Sequence, residues 1–209
     1  MNSSTLNTLR LLLFVPHCAV WLYSVIYLPF HFQFVFMTFI GNTTSVVATA
    51  LTIQINNKDK GIIMQMNKII SKLLYEFSFG MQIMITVVYW LAVHAWLMKK
   101  IAGQTGFIVF NYFVHTLPLA NILFNVTFSN IRFKYSHIVF TIFMSLIFFV
   151  FNYFGVIHFN NGEPFYPFFP WVTDFEKSVI NAVILMLIAS LVYLATCLFV
   201  NRGLRQPVF

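Results

Sequence analysis

Residues 178–200, SVINAVILMLIASLVYLATCLFV, run for 23 positions without a charged side chain. As a helix this stretch rises roughly 35 Å, enough to cross the ~30 Å hydrocarbon core of a bilayer. Comparable stretches recur along the chain, and spans are expected at about 10–30, 33–54, 73–97, 107–130, 136–154 and 178–200. The apolar runs are continuous rather than alternating, which excludes a transmembrane β-barrel. With 60% hydrophobic residues, 8% charged residues and 27 phenylalanines, the chain has far more apolar surface than a soluble domain can keep dry. The expected fold is all-α: a polytopic six-transmembrane-helix bundle forming one domain over residues 1–209.

The breaks between spans hold turn and interface residues. They read LPFHF, QINNKDKG, KKIAGQTG, RFKYS and the long FNNGEPFYPFFPWVTDFEK. In the last of these, Trp171, Tyr166 and the phenylalanines suggest an interfacial belt or a short re-entrant cap. The first apolar stretch, after MNSSTLNT, is too long for a signal peptide and lacks a small-residue cleavage site, so it reads as a span. The net charge of +7 does not point to nucleic acid, because the basic residues sit singly or in pairs at span ends. Nine of them (Arg10, Lys58, Lys60, Lys68, Lys72, Arg132, Lys134, Arg202, Arg205) fall on one side, and three (Lys99, Lys100, Lys177) on the other. The positive-inside rule then places both termini in the cytosol. The sequon-like sites at Asn2, Asn42 and Asn125 are expected to stay unglycosylated. Cys18 and Cys197 lie within spans and read as packed thiols.

Polar residues inside the spans form two stripes. Thr38, Asn42, Ser45, Thr49 and Thr52 recur at helical spacing on the second span. Asn111, His115, Pro118, Asn125 and Ser129 do so on the fourth. Such stripes face other helices or a wet cavity, since hydrocarbon offers no hydrogen-bond partners. Counting inward from the same surface puts Thr38 roughly 8 Å deep and His115 roughly 12 Å deep at 1.5 Å per residue. His94 on the third span lies at a similar level, and His158 is expected in the loop above. Each has a plainer reading: threonines bond their own backbone one turn back, amides glue helices, and a histidine near the interface snorkels. His115 stands apart, because an ionisable group at depth marks a functional site by default. Pro118 frees the Val114 carbonyl beside it. Glu76 and His17 look structural, and no metal-ligand spacing or phosphate loop is present.

A hydroxyl and an imidazole in a water-poor cavity are the minimum for nucleophilic acyl transfer, because the hydroxyl is a weak nucleophile until a base takes its proton. No acid lies in that half of any span, so a dyad is expected rather than a triad. Asn111 or Asn42 would orient His115 or bind the oxyanion.

Three segments in order, Phe36-Met37-Thr38-Phe39-Ile40, Asn111-Tyr112-Phe113-Val114-His115-Thr116 and Gly162-Glu163-Pro164-Phe165-Tyr166-Pro167, carry a resemblance. Together with the six-span layout, they make the chain similar to the androgen-induced and androgen-dependent TFPI-regulating protein family. Those are integral-membrane threonine hydrolases of fatty-acid esters of hydroxy fatty acids. Departures from the family pattern include Gly41 in place of an acidic or amide residue, Tyr112 for a histidine, Asn125 for a glutamate and Pro164 for a tryptophan. Asn42, His94, Asn111, His158 and Tyr166 are expected as supporting or substrate-binding residues. The resemblance implies Thr38 as nucleophile and His115 as base. It also implies no cofactor or metal, a lipid substrate entering from the bilayer, and residence in the endoplasmic reticulum or plasma membrane. Two other readings of the same residues stay open. One is a transporter, channel or lipid-binding scaffold. The other is a haem protein with His94 and His115 as axial ligands.

Overall fold

The computed structural model describes residues 3–54, 62–128 and 131–203. Ser129 of the second polar stripe lies outside them, as do Asn2, Lys58, Lys60 and Arg205 of the topology argument. The described residues are helical with connecting turns. The long helices are α1 (Ser3–Tyr27), α3 (Met37–Gln54), α4 (Ile62–Val88), α6 (Thr105–Thr127), α7 (Ile138–Phe159) and α8 (Phe175–Leu198). A single-turn α2 (Phe32–Val35) precedes α3, and a π-helical turn (Tyr89–Val93) joins α4 to α5 (His94–Lys100). Five stretches are long and apolar enough to cross a membrane: Thr5–Tyr27, Gln65–Lys100, Thr105–Thr127, Tyr135–Phe159 and Phe175–Arg202. The molecule is a multi-pass membrane protein. The expected second span, α3, is not among the five, because Thr38, Asn42, Thr43, Thr44, Ser45, Thr49, Thr52 and Gln54 make it too polar.

That polarity suits the place of α3 in the bundle. It packs against α1, α2, α4 and α6 and turns most of its polar side chains inward. Lipid-facing apolar surface is left to α1, α4, α6, α7 and α8. Gly41 lets α3 approach α4 closely: a Cβ there would stand 3.1 Å from Gln82 Nε2. One end of the bundle is built from residues 28–36, 100–107 and 160–174. The other carries Lys72, Lys134 and Arg202.

The segment 160–174 has neither helix nor strand, and it is not a simple surface belt. Phe165, Phe169 and Trp171 are buried against α7 and α8. Trp171 Nε1 donates to Asn152 Oδ1 at 2.8 Å, and Asn152 Nδ2 donates to the Val35 carbonyl at 2.9 Å. One buried asparagine on α7 thus ties the loop to the chain just before α3. At the opposite end Glu76, buried on α4, accepts from the Lys134 backbone N–H at 3.2 Å. It also pairs with His137 and lies 3.8 Å from Lys72 Nζ. These bonds belong to the packing of α4, as does the bond between His17 and Asn121 at 3.0 Å for α1 and α6.

Candidate active site

Thr38 stands in the first turn of α3, and local chain geometry decides where it points. Phe36 is extended (φ −106°, ψ 123°), which ends α2 and starts a fresh helix at Met37. The first amides of a helix lack intrahelical partners. Here the Met37 N–H donates to the Tyr166 hydroxyl at 3.2 Å. Ser45, Thr49 and Thr52 follow the common pattern of bonding a carbonyl one turn back. Thr38 bonds across the bundle instead, with Oγ1 3.2 Å from His115 Nε2.

His115, on the third turn of α6, lies roughly 15 Å along the helix from its start at Thr105. Its Nδ1 is 2.8 Å from the Asn111 carbonyl oxygen. A carbonyl only accepts, so Nδ1 carries the proton and Nε2 presents its lone pair to the Thr38 hydroxyl. Both side chains are buried. The backbone around them is also held. Pro118 has no N–H for the Val114 carbonyl, and Asn42 Nδ2 reaches that oxygen at 3.5 Å. Thr86 Oγ1 donates to the His115 carbonyl at 2.8 Å.

Each asparagine amide commits one of its two N–H donors to a backbone carbonyl. Asn42 is committed to Val114 and accepts from Gln82 Nε2 at 3.2 Å, while Asn111 Nδ2 donates to the Phe107 carbonyl at 2.8 Å. Asn111 orients His115 through its backbone oxygen rather than its side chain. Tyr166 offers a further donor: its hydroxyl accepts from Met37 and keeps its own proton to give. Burial pushes that phenol above its ordinary range, so it remains a donor.

His94 and His158 do not reach the dyad. His158 is not in a loop; α7 extends through it, and its exposed ring stacks on Phe154 at 6.1 Å. His94 Nδ1 bonds the Tyr89 hydroxyl at 3.3 Å. Tyr89 is the residue that sequence patterning overlooked. It begins the π-helical turn, is 2% exposed, and lies flat on His115 with ring centroids 3.6 Å apart and planes 8° off parallel. A tyrosine in an apolar helix gives no warning of this; the π-turn that turns it inward belongs to the tertiary fold. Because Tyr89 fills the space between His94 and His115, no haem plane fits there with these two as axial ligands.

Two cavities meet at the dyad. The larger, about 260 Å³, extends to the Lys100 end of the bundle between α2, α5, α6 and the 160–165 loop. The smaller, about 40 Å³, lies behind, against Met84, Phe148 and Leu185. Thr38, His115, Tyr89, Val93 and Tyr166 border both. A hydroxyl, a base and a phenol donor therefore converge at the floor of an apolar chamber. No protein-family model, curated protein or solved structure matches the chain.

Proposed function

We propose that this protein is an intramembrane lipid-ester hydrolase that works through Thr38 and His115, with fatty-acid esters of hydroxy fatty acids as the substrate class that its family resemblance implies. The observation that carries the reading is the 3.2 Å Thr38–His115 contact with the imidazole tautomer set by Asn111. In this reading α3 is a sixth span, shielded from lipid by its neighbours, and both termini face the cytosol. The membrane is that of the endoplasmic reticulum or the cell surface.

The chemistry follows from the geometry. His115 Nε2 takes the Thr38 hydroxyl proton as Oγ1 attacks the ester carbonyl. Tyr166 donates to the carbonyl oxygen as it gains negative charge, beside the positive end of the α3 dipole. With no carboxylate at hand, the imidazolium is faced by the Tyr89 ring, whose π-cloud favours a cation. His115 then returns the proton to the departing alkoxide, leaving an acyl-Thr38 ester. A water, deprotonated by the same nitrogen, attacks that ester and releases the fatty acid with Thr38 restored.

The polar stripe of α3 supports this reading over a pore. Beyond Thr38 its side chains bond to neighbouring helices and border neither cavity. Asn42 and Ser45 meet Gln82, and Thr49 meets Asn121. The test is labelling with a fluorophosphonate probe in native membranes, comparing wild type, Thr38→Ala and His115→Ala. The expected result is labelling of the wild type alone, with all three proteins equally expressed. Undiminished labelling of Thr38→Ala would remove it as nucleophile. Absence of labelling in folded wild type would return the chain to the transporter and scaffold readings.

A further inference from the structure

The larger cavity holds one formal charge. Its walls are Leu28, Phe32, Phe36, Phe110 and other apolar groups; the dyad is its floor; Lys100 borders its mouth. No acidic residue lines it, and among the described residues Lys100 has no ion pair. A lysine ending a membrane helix ordinarily stretches to water as an interfacial anchor. Lys99 and Lys100 are both exposed at the end of α5. Lys100 also lies over Trp96, with Nζ 4.3 Å from the ring centroid, and Trp96 is itself part of the cavity wall. An aromatic face attracts a cation without neutralising it, so the ammonium keeps its charge and its three donors.

Depth completes the picture. Phe107, in the first turn of α6, borders the cavity together with Lys100, and His115 lies eight residues further along the same helix, roughly 12 Å. Between the two levels the wall is almost wholly apolar. The chamber suits an extended hydrocarbon segment, and Lys100 favours an anionic group at one end of it. Lys100 is exposed and solvated at that end, so an anionic head group gains an ion pair there that a neutral lipid lacks, and a cation would be repelled.

We infer that Lys100 is the specificity residue of this cavity, holding the free carboxylate of the substrate at the mouth while the alkyl chain that bears it leads down to the ester at Thr38. The inference rests on the reading of the cavity as a lipid-ester site, and it assigns which end of the substrate stays at the surface. Lys100 contributes to binding and orientation and takes no part in bond making.

Photo-crosslinking of the purified full-length protein in neutral detergent tests this without requiring turnover. The probes are a diazirine analogue of oleic acid and the matching diazirine analogue of oleyl alcohol. The proteins are wild type, Thr38→Ala, Lys100→Met and Lys100→Arg. Expected is stronger labelling of the wild type by the acid than by the alcohol. Lys100→Met should lose that preference by about fivefold, the scale of one partly exposed ion pair, and Lys100→Arg should keep it. Thr38→Ala should be labelled by the acid as well as wild type, because binding precedes chemistry. Three results would overturn the inference: acid labelling unchanged in Lys100→Met, equal loss of acid and alcohol labelling, or no preference in the wild type. Acid labelling that depends on Lys100 in a protein that fluorophosphonate never labels would keep the anionic-lipid site and sink the hydrolase reading, so the two failures are separable.

Discussion

At the scale of single residues, the site depends on how one imidazole is held. Its Nδ1 is tied to a backbone carbonyl, its Nε2 faces a hydroxyl, and its ring lies on Tyr89. Tyr89→Leu removes the stacking face and is expected to lower the turnover rate about 10- to 100-fold, with KM changed by less than about twofold, since the loss falls on the transition state. Tyr89→Phe keeps the face, gives up the bond to His94, and is expected to retain most of the rate. Equal, severe losses in both variants would assign the effect to the hydroxyl instead. Tyr166→Phe removes the proposed oxyanion donor together with the cap on Met37; a fall in kcat of roughly 100-fold is expected from steady-state kinetics. His115 stood out in the sequence as an ionisable group at depth, whereas Thr38, one of many hydroxyls in these helices, was singled out by its matched depth and the family resemblance. Tyr89 was not, because nothing in its neighbours marks the π-turn.

At the scale of elements, the geometry of the Thr38–His115 pair depends on the break between α2 and α3. That break is clamped from α7 by Asn152 and from the 160–174 loop by Tyr166. Gly155 on α7 packs directly against Val35, and a Cβ added there would collide with the stiff, β-branched valine and also approach Phe165. Gly155→Ala is therefore expected to cost about 1–3 kcal/mol and to displace the start of α3. A lowered midpoint in detergent thermal unfolding, with reduced fluorophosphonate labelling, would register both effects. Asn152→Ala leaves the Val35 carbonyl and the Trp171 N–H without their partner. It is expected to destabilise by about 1–3 kcal/mol in the same assay. The five apolar spans were readable as runs of hydrocarbon. The clamp was not, because a lone asparagine in a phenylalanine-rich helix has no pattern to announce its partners.

At the scale of the whole molecule, the bundle places its most polar long helix among the others and its most apolar surfaces outward. This arrangement bears on topology. Asn42 and Asn125, each in a sequon-like setting, are fully buried and bonded inside the bundle. No glycosidase-sensitive shift is expected on gels of protein expressed in mammalian cells. With cytosolic termini, tags at both ends should be shielded from external protease in intact cells and digested in sealed microsomes, whose outer face is the cytosolic one. A tag digested on intact cells, or protected in sealed microsomes, would reverse the orientation.

The helical class, the apolar spans and the two polar stripes follow from the sequence alone, because a bilayer tolerates only chains that satisfy their backbone internally and keep polar groups off its hydrocarbon. Periodicity says which side of a helix is polar, and residue counting says how deep a group lies. Neither says which helices are neighbours. That α3 and α6 face each other closely enough for Thr38 to meet His115, that Tyr89 covers the imidazole, and that Lys100 borders the same chamber were decided by tertiary packing. Those contacts join residues up to 77 positions apart. Their geometry is set by a break at Phe36, a π-turn at Tyr89 and close-packed glycines, features whose consequences appear only when the helices are assembled.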